Sequence, residues 1–321
     1  MQAEGCPQGP GDDLGQVASQ VSSVVLGKPE VVVLALACLL AEGHLLIEDL
    51  PGVGKTTLAN ALARTVGLRL HRVQMTADVL PGDLTGTLVP DSAGGGLVFR
   101  PGPIFANLVV ADELNRSSPR AQSALLEAME ERQVSVDGTT HRLPRPFMVI
   151  ATQNPTDPDG TYPLPHSQLD RFLLRLSIGY PDRDSEAALL DAGEQTDRAG
   201  SLSPVLGSDQ LVELVAQARR VHLSPAVRDY VLDLTQATRQ HPALSVGASP
   251  RAGLSLVRAA RALALVAGRD FVMPDDIQRL AVPALAHRVV VAPPSALSGV
   301  SAVAVIGDLV YRVPVPQRRR H

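Results

Sequence analysis

The sequence predicts a parallel α/β domain followed by an all-helical one. Three observations predict it. Up to about Pro181, short apolar runs of strand length alternate with longer segments of helical period. Beyond Pro181 only helical segments follow, an order that separates an α/β unit from a helical one. A glycine-rich turn joins the first strand directly to a helix, the connection expected where a sheet presents a ligand site.

Apolar residues recur at helical spacing over residues 14–26, and Gly27 closes the stretch. Pro29 takes a first-turn position in the next helix, which runs to about Glu42. Residues 44–48 (HLLIE) read as a buried strand, 55–66 as a helix and 68–74 as a second strand. Residues 75–103 break the rhythm with Pro81, Gly82, Gly86, Pro90, Gly94-Gly95-Gly96, Pro101 and Pro103. They read as a long insertion of turns and short elements. An apolar strand resumes at 107–111. Ser118-Pro119 caps a helix that places Ala121, Ala124, Leu125, Ala128 and Met129 on one face. Residues 133–147 predict a hairpin turning at Asp137-Gly138, with strands at 147–152 and 172–178 after it. Helices are expected over 185–194, 209–221, 225–240, 250–267 and 274–288, with 199–207 a loop. The domain organisation expected is a flexible leader (1–20), an α/β domain (21–180), a helical domain (181–313) and a basic tail (314–321).

Composition narrows the class. With 45% hydrophobic and 19% charged residues the chain is globular, not disordered. Aromatics are few and Trp is absent, so the core rests on Ala, Val and Leu. A net charge of -4 provides no global attraction to nucleic acid or anionic membranes. Cys6 and Cys38 are too few for a disulfide framework. The longest apolar run, 31–41, falls short of the roughly 20 residues that span a bilayer. No basic leader of secretory type precedes it. A soluble, cytoplasmic protein without membrane insertion is expected.

The turn after the first strand reads Pro51-Gly52-Val53-Gly54-Lys55-Thr56-Thr57. Its glycines let successive N–H groups point at an anion, and the helix start adds its positive dipole end. Lys55 would supply a full charge to the β and γ phosphates of a nucleotide, and the Thr56 hydroxyl would reach Mg²⁺. The pattern departs from G-x-x-x-x-G-K-S/T at its first position, Asp49. The strand 108–111 ends in Asp112-Glu113, and ionised groups beside an apolar core are costly unless matched by a cation. Asp112 would hold Mg²⁺ through its water shell and Glu113 would deprotonate an attacking water. A solvated turn is the alternative. Asn154, following the strand 147–152, would position that water; it serves equally well as a turn residue before Pro155.

These motifs together resemble the MoxR family of AAA+ ATPases. The matching stretches are EDLPGVGKTTLA (48–59), GDLTGTL (82–88), FRPGPIFANLVVADELNR (99–116), SALLEAMEERQVSVDG (123–138), ATQNP (151–155), GTYPLPHSQLDRF (160–172) and GASPRAGL (247–254). The resemblance implies an AAA+ P-loop fold with a helical lid, Mg²⁺-dependent ATP hydrolysis and a ring, expected to be a hexamer. It implies that 75–103 is a helix-2 insert and 133–147 a pre-sensor-1 hairpin. It further implies that Asn154 is sensor 1, that Arg171 is an arginine finger acting in trans, and that Arg251 is sensor 2, reaching back from the lid. His166 departs from the Glu usual in the family at its position. Chaperone-like remodelling or metal-centre maturation is implied, with a von Willebrand factor A or DUF58-type partner.

The residues leave some roles open. Arg251 lies in the first turn of its helix, where a cation opposes the dipole at about 0.3–1 kcal/mol unless a phosphate sits against it. Arg171 could simply pair with Asp170 or another carboxylate. Arg116 is a further candidate for contact across a subunit interface, and Gln74 could restrain Glu113. Two other functional classes are weighed. One is a regulatory module whose nucleotide state gates partner docking with slow turnover. The other is a nucleic-acid motor using Arg132, His141, Arg142 and Arg145, which the charge and the lack of stacking aromatics disfavour.

Overall fold

The computed structural model describes residues 10–91, 96–154, 161–192 and 198–316. The first nine residues with Cys6, the Gly94-Gly95 pair, Pro155, and the tail arginines Arg318, Arg319 and Arg320 lie outside the described residues.

Helix α1 (Pro10–Val24) opens the chain. The expected leader over 1–20 is therefore corrected: from Pro10 onward it is helical. The physical reason is legible in the segment. Asp12 and Asp13 sit in the first turn, where the dipole favours anions, and Leu14, Val17 and Val21 form a fully buried stripe. Each such side chain contributes about 1.5–3 kcal/mol on burial, enough to order the segment. Helix α2 (Pro29–Leu40) is buried almost all round, as its unbroken apolar run requires.

Strand β1 (Leu45–Glu48) leads through the glycine turn into α3 (Lys55–Thr65), and β2 (Leu70–Gln74) follows. The insertion folds as a short helix α4 (Pro81–Thr85) and an antiparallel hairpin of β3 (Gly86–Pro90) with β4 (Leu97–Pro101). After β5 (Leu108–Asp112) come α5 (Pro119–Glu131), capped by the Ser118 hydroxyl, and a second hairpin, β6 (Gln133–Val136) with β7 (Thr139–Arg142). Asp137 and Gly138 at its turn both have positive φ, as a two-residue hairpin loop requires. The His141 ring stacks on Phe99 with centroids 3.8 Å apart, so the two hairpins touch.

Strands β8 (Met148–Gln153) and β9 (Leu174–Leu176), separated by the short helix α6 (His166–Leu169), complete a five-stranded sheet. Its order is β2-β5-β8-β1-β9 and every pairing is parallel. Alternation sends Leu45, Ile47, Val110 and Ile150 to one core, and Leu46, Val109, Ala111 and Ala151 to the other. The register brings Gln74 beside Asp112, and Glu48 beside Gln153, at the carboxyl edge of the sheet. Open parallel sheets bind ligands there.

The remainder is helical: α7 (Arg183–Ala192), α8 (Ser208–Arg220), α9 (Pro225–Gln240), α10 (Pro250–Val266) and α11 (Pro274–Leu285). Four elements there have no counterpart in the sequence reading. They are α12 (Pro293–Leu297), α13 (Ala302–Arg312) and a small antiparallel pair, β10 (Leu244–Val246) with β11 (Val290–Val291). The helical part is pinned to the sheet through the buried Arg288. Its guanidinium donates to the Asp170 carboxylate (2.8 Å) and to the carbonyls of Asp170, Phe172 and Leu173. No helix among the described residues is long and apolar enough to cross a membrane.

Candidate active site

The glycine turn is built from backbone conformations that side chains resist. Gly52 and Gly54 hold φ of 83° and 91°, although a Cβ at either would meet open space. Glycine is required there by the backbone, not by crowding. Gly54 is also the N-cap of α3 and supplies no side-chain cap, so the first N–H groups of that helix remain for a ligand. Lys55 Nζ meanwhile rests on the Asp49 carbonyl at 2.6 Å. Burial pulls the Lys55 ammonium below the usual lysine range, against the opposing pull of Asp49, Asp112 and Glu113.

Asp49 explains its own departure from the glycine pattern. Its Oδ2 accepts from the amides of Ile178 (2.6 Å) and Gly179 (2.7 Å) and from the Ser177 hydroxyl (3.0 Å), and its Oδ1 accepts from Leu50. Burial would raise this carboxyl, but the hydrogen bonds from Gly179, Ser177, Leu50 and Ile178 prevail and hold it below the usual range. The side chain ties the glycine turn to the exit of β9.

Asp112 and Glu113 leave β5 in different directions because Glu113 adopts a left-handed φ of 57°. Thr152 on β8 serves both: its hydroxyl donates to Asp112 Oδ1 (2.6 Å) and accepts from the Glu113 amide (2.9 Å). Asp112 Oδ2 accepts from Arg72 Nη2 (2.5 Å) and Nε (3.2 Å). Burial raises the Asp112 carboxyl, yet the Thr152 and Arg72 hydrogen bonds and the charges of Arg72 and Lys55 win and hold it low. Glu113 Oε2 accepts from Gln74 Nε2 at 2.8 Å, with the Arg116 guanidinium 3.8 Å away.

These groups share one cavity of about 410 Å³, lined by Gly52, Gly54, Lys55, Thr56, Thr57, Arg72, Gln74, Asp112, Glu113, Thr152 and Asn154. A second cavity of about 450 Å³ continues from it past Gly52, Val53, Gly54 and Thr57, and is walled by Val25, Tyr180 and Leu190. A polar chamber with a cation and carboxylates, opening into a more apolar one, suits a phosphate chain attached to a flat base. The hard oxygen donors of Thr56 and Asp112 in the polar chamber fit Mg²⁺, which takes few protein ligands beside phosphates and water.

Comparison with known proteins agrees with this geometry. Residues 44–174 match the ATPase family associated with various cellular activities (AAA), and residues 236–308 match the AAA lid domain. The chain is 44% identical over 306 residues to the uncharacterized protein YeaC of Bacillus subtilis, covering 95% of this chain and 96% of that one. A solved structure from Cytophaga hutchinsonii, described as a candidate ATPase, superposes with a TM-score of 0.88 at 34% identity over 96% of each chain. The chain is also 38% identical over 311 residues to Chaperone MoxR1 of Mycobacterium tuberculosis, covering 93% of this chain and 81% of the relative.

The chain belongs to the MoxR family of AAA+ ATPases. It is a nucleotide-binding ATPase with a parallel five-stranded sheet and a helical C-terminal lid.

In this MoxR-family chain neither Arg171, which the resemblance assigns to a neighbour's site, nor Arg251 lines the phosphate cavity. The resemblance implies that Arg251 reaches back from the lid as sensor 2. It lines a different, smaller cavity of about 200 Å³, together with Arg171. Both arginines engage one carboxylate: Arg251 Nη2 donates to Glu130 Oε1 at 2.8 Å, and Arg171 Nε lies 3.3 Å from Glu130 Oε2. The reason is the docking of the lid. Ser249 and Pro250 start α10 as the sequence indicates, but that helix packs along α2, which points its first turn at α5. His166, which replaces the usual Glu, bonds the Arg288 carbonyl at 3.1 Å. Of the candidate nucleic-acid contacts, Arg132 is committed to Glu42 at 2.6 Å and His141 to Phe99.

Sequence reasoning missed Arg72, Thr152 and Glu130. Arg72 could have been found from the strand period, which places it two residues before Gln74 on the same face. Thr152 and Glu130 carry no local signal, because their roles arise from packing between strands and between α5 and the lid.

Proposed function

We propose that this ATPase hydrolyses ATP with Mg²⁺ between subunits of a ring and uses the energy for chaperone-like remodelling of a partner. One observation carries the reading: Lys55, Asp112, Glu113 and Asn154 line one cavity, while Arg171 and Arg251 sit together on another face, away from it. A complete set of charges around a transferring phosphoryl group then needs a second copy of the chain. Lys55 and the amides of α3 bind the phosphates, Thr56 and Asp112 hold the metal, and Asn154 orients a water whose proton Glu113 accepts. Mg²⁺ supplies charge neutralisation on the phosphate oxygens when bound. Arg171 and Arg251 of a neighbour stabilise the developing charge. The 38% identity to a protein named Chaperone MoxR1 supports the remodelling role, and a von Willebrand factor A or DUF58-type protein is the partner class we propose.

The test is ATP turnover by Glu113→Gln. Turnover is expected to fall by about 10²–10⁴-fold, the usual worth of a general base, while nucleotide binding survives. Hydrolysis at the wild-type rate would remove Glu113 from the mechanism.

The Gln74–Glu113 hydrogen bond favours one further reading, a resting protomer with slow turnover until a partner docks. Partner-stimulated hydrolysis that is already maximal in Gln74→Ala alone would support it.

A further inference from the structure

Both carboxylate oxygens of Asp112 accept hydrogen bonds. Oδ1 is taken by the Thr152 hydroxyl at 2.6 Å, and Oδ2 by two donors of the Arg72 guanidinium, at 2.5 and 3.2 Å. Thr152 is buried and belongs to the central strand β8, so its hydroxyl is held in place by the sheet. Arg72 differs: it lies on β2, an edge strand, with a side chain 51% exposed, and it lines the same cavity as Lys55 and Thr56. One oxygen of the metal-side carboxylate is thus covered by a half-exposed, positively charged side chain.

We propose that Arg72 is a positioning residue that stands in for the metal at Asp112, keeping this carboxylate aimed at the phosphate cavity and yielding Oδ2 when the metal–nucleotide complex enters. The inference rests on the reading of Asp112 as the metal-side carboxylate. Its physical content is a competition. With Arg72 present, metal-free ATP meets a neutralised carboxylate, whereas the metal complex must first displace a guanidinium. Without Arg72, metal-free ATP meets a bare carboxylate that repels its phosphates, and the metal meets one that is unoccupied. Both changes move the preference for the metal complex in one direction. A merely structural role would shift both affinities together and leave their ratio alone.

The experiment measures binding of N-methylanthraniloyl-ATP to the full chain in excess Mg²⁺ and in EDTA, and takes the ratio of the EDTA to the Mg²⁺ dissociation constant. Arg72→Met is expected to raise this ratio about fivefold, the scale of a half-exposed charge pair. Arg72→Lys, which keeps the charge, stays within about twofold of wild type on the same scale. Asp112→Asn lowers the ratio towards one. A wild-type ratio well above one that Arg72→Met leaves unchanged overturns the proposal. A wild-type ratio of one that Asp112→Asn does not alter overturns the metal assignment of Asp112, and the proposal falls with it.

Discussion

Asp112 and Glu113 are neighbours in the chain, yet one is held by Thr152 and Arg72 and the other by Gln74. The left-handed backbone at Glu113 separates them, a conformation that costs a non-glycine residue energy and persists because Thr152 takes its amide. Thr152→Val removes that acceptor and the donor to Asp112 in a buried place. A loss of about 1–3 kcal/mol in unfolding free energy is expected, read as a lower urea midpoint at unchanged slope. Gln74→Ala frees Glu113, and the basal ATPase rate is expected to rise about three- to tenfold, the worth of one ordinary solvent-exposed hydrogen bond. A rate that stays level or falls would mean that Gln74 does not restrain Glu113. That Lys55, Thr56, Asp112 and Glu113 are candidate site residues was legible because each sits at a strand–loop junction that punctuates the sequence, and the fold brings all four to one cavity. Glu130, Thr152 and the Asp49 brace were not, since nothing local distinguishes a helix-surface Glu or a strand Thr from any other.

At the level of elements, α1 shows how a weak signal can mislead. The Gly/Pro/Asp-rich start reads as a leader, but the buried stripe of Leu14, Val17 and Val21 carries the helix back to Pro10. The insertion shows the converse: its glycines mark close approach. Gly102 lies against the Leu84 carbonyl, and a Cβ there would come within 2.6 Å of the Gly86 amide nitrogen. Backbone cannot yield as a flexible side chain does. Gly102→Ala is therefore expected to loosen α4 and the β3–β4 hairpin while leaving the parallel sheet intact. Hydrogen exchange would show this as faster exchange over residues 84–101 with unchanged protection in β1, β5 and β8. Equal protection throughout would show that the hairpin accommodates the methyl group. The β10–β11 pair was not legible: its strands are two or three residues long, too short for any period to register.

Over the whole molecule, the separation of Arg171 and Arg251 from Lys55 makes a concrete demand on assembly. Subunits carrying Arg171→Ala, or Arg251→Ala, mixed with Glu113→Gln subunits are expected to recover ATPase activity that neither variant shows alone. An assembled mixture that stays inactive would place both arginines outside the neighbour's site. The lid also buries titratable groups. His287 bonds the Phe172 carbonyl at 3.0 Å, and burial holds it well below the usual histidine range. His44 accepts from the Val149 amide at Nδ1, so its proton is on Nε2, facing the Met129 carbonyl; burial pulls it down to about 3. Both folded-state values are depressed, so the unfolded chain binds more protons below about pH 6.5, for His44 down to about pH 3. Stability is expected to be full above that window and to fall with pH inside it, by about 1.4 kcal/mol per pH unit for each histidine. Urea unfolding from pH 7.5 to 5 checks this, and His44→Gln should flatten the slope by one proton.

The sequence by itself determined the nucleotide end of this protein. Strand, glycine turn, helix and the paired carboxylates are local arrangements: the backbone requires glycine at the turn, and the charges stand beside it in fixed spacing. Only the tertiary structure decided which cavity each arginine serves. The lid packs α10 along α2 through apolar contacts that specify no charged partner, so the position of Arg251 follows from docking and not from its own helix. The same docking ties Arg171 and Arg251 to one carboxylate on α5, far from the phosphate loop in sequence and outside the phosphate cavity in space.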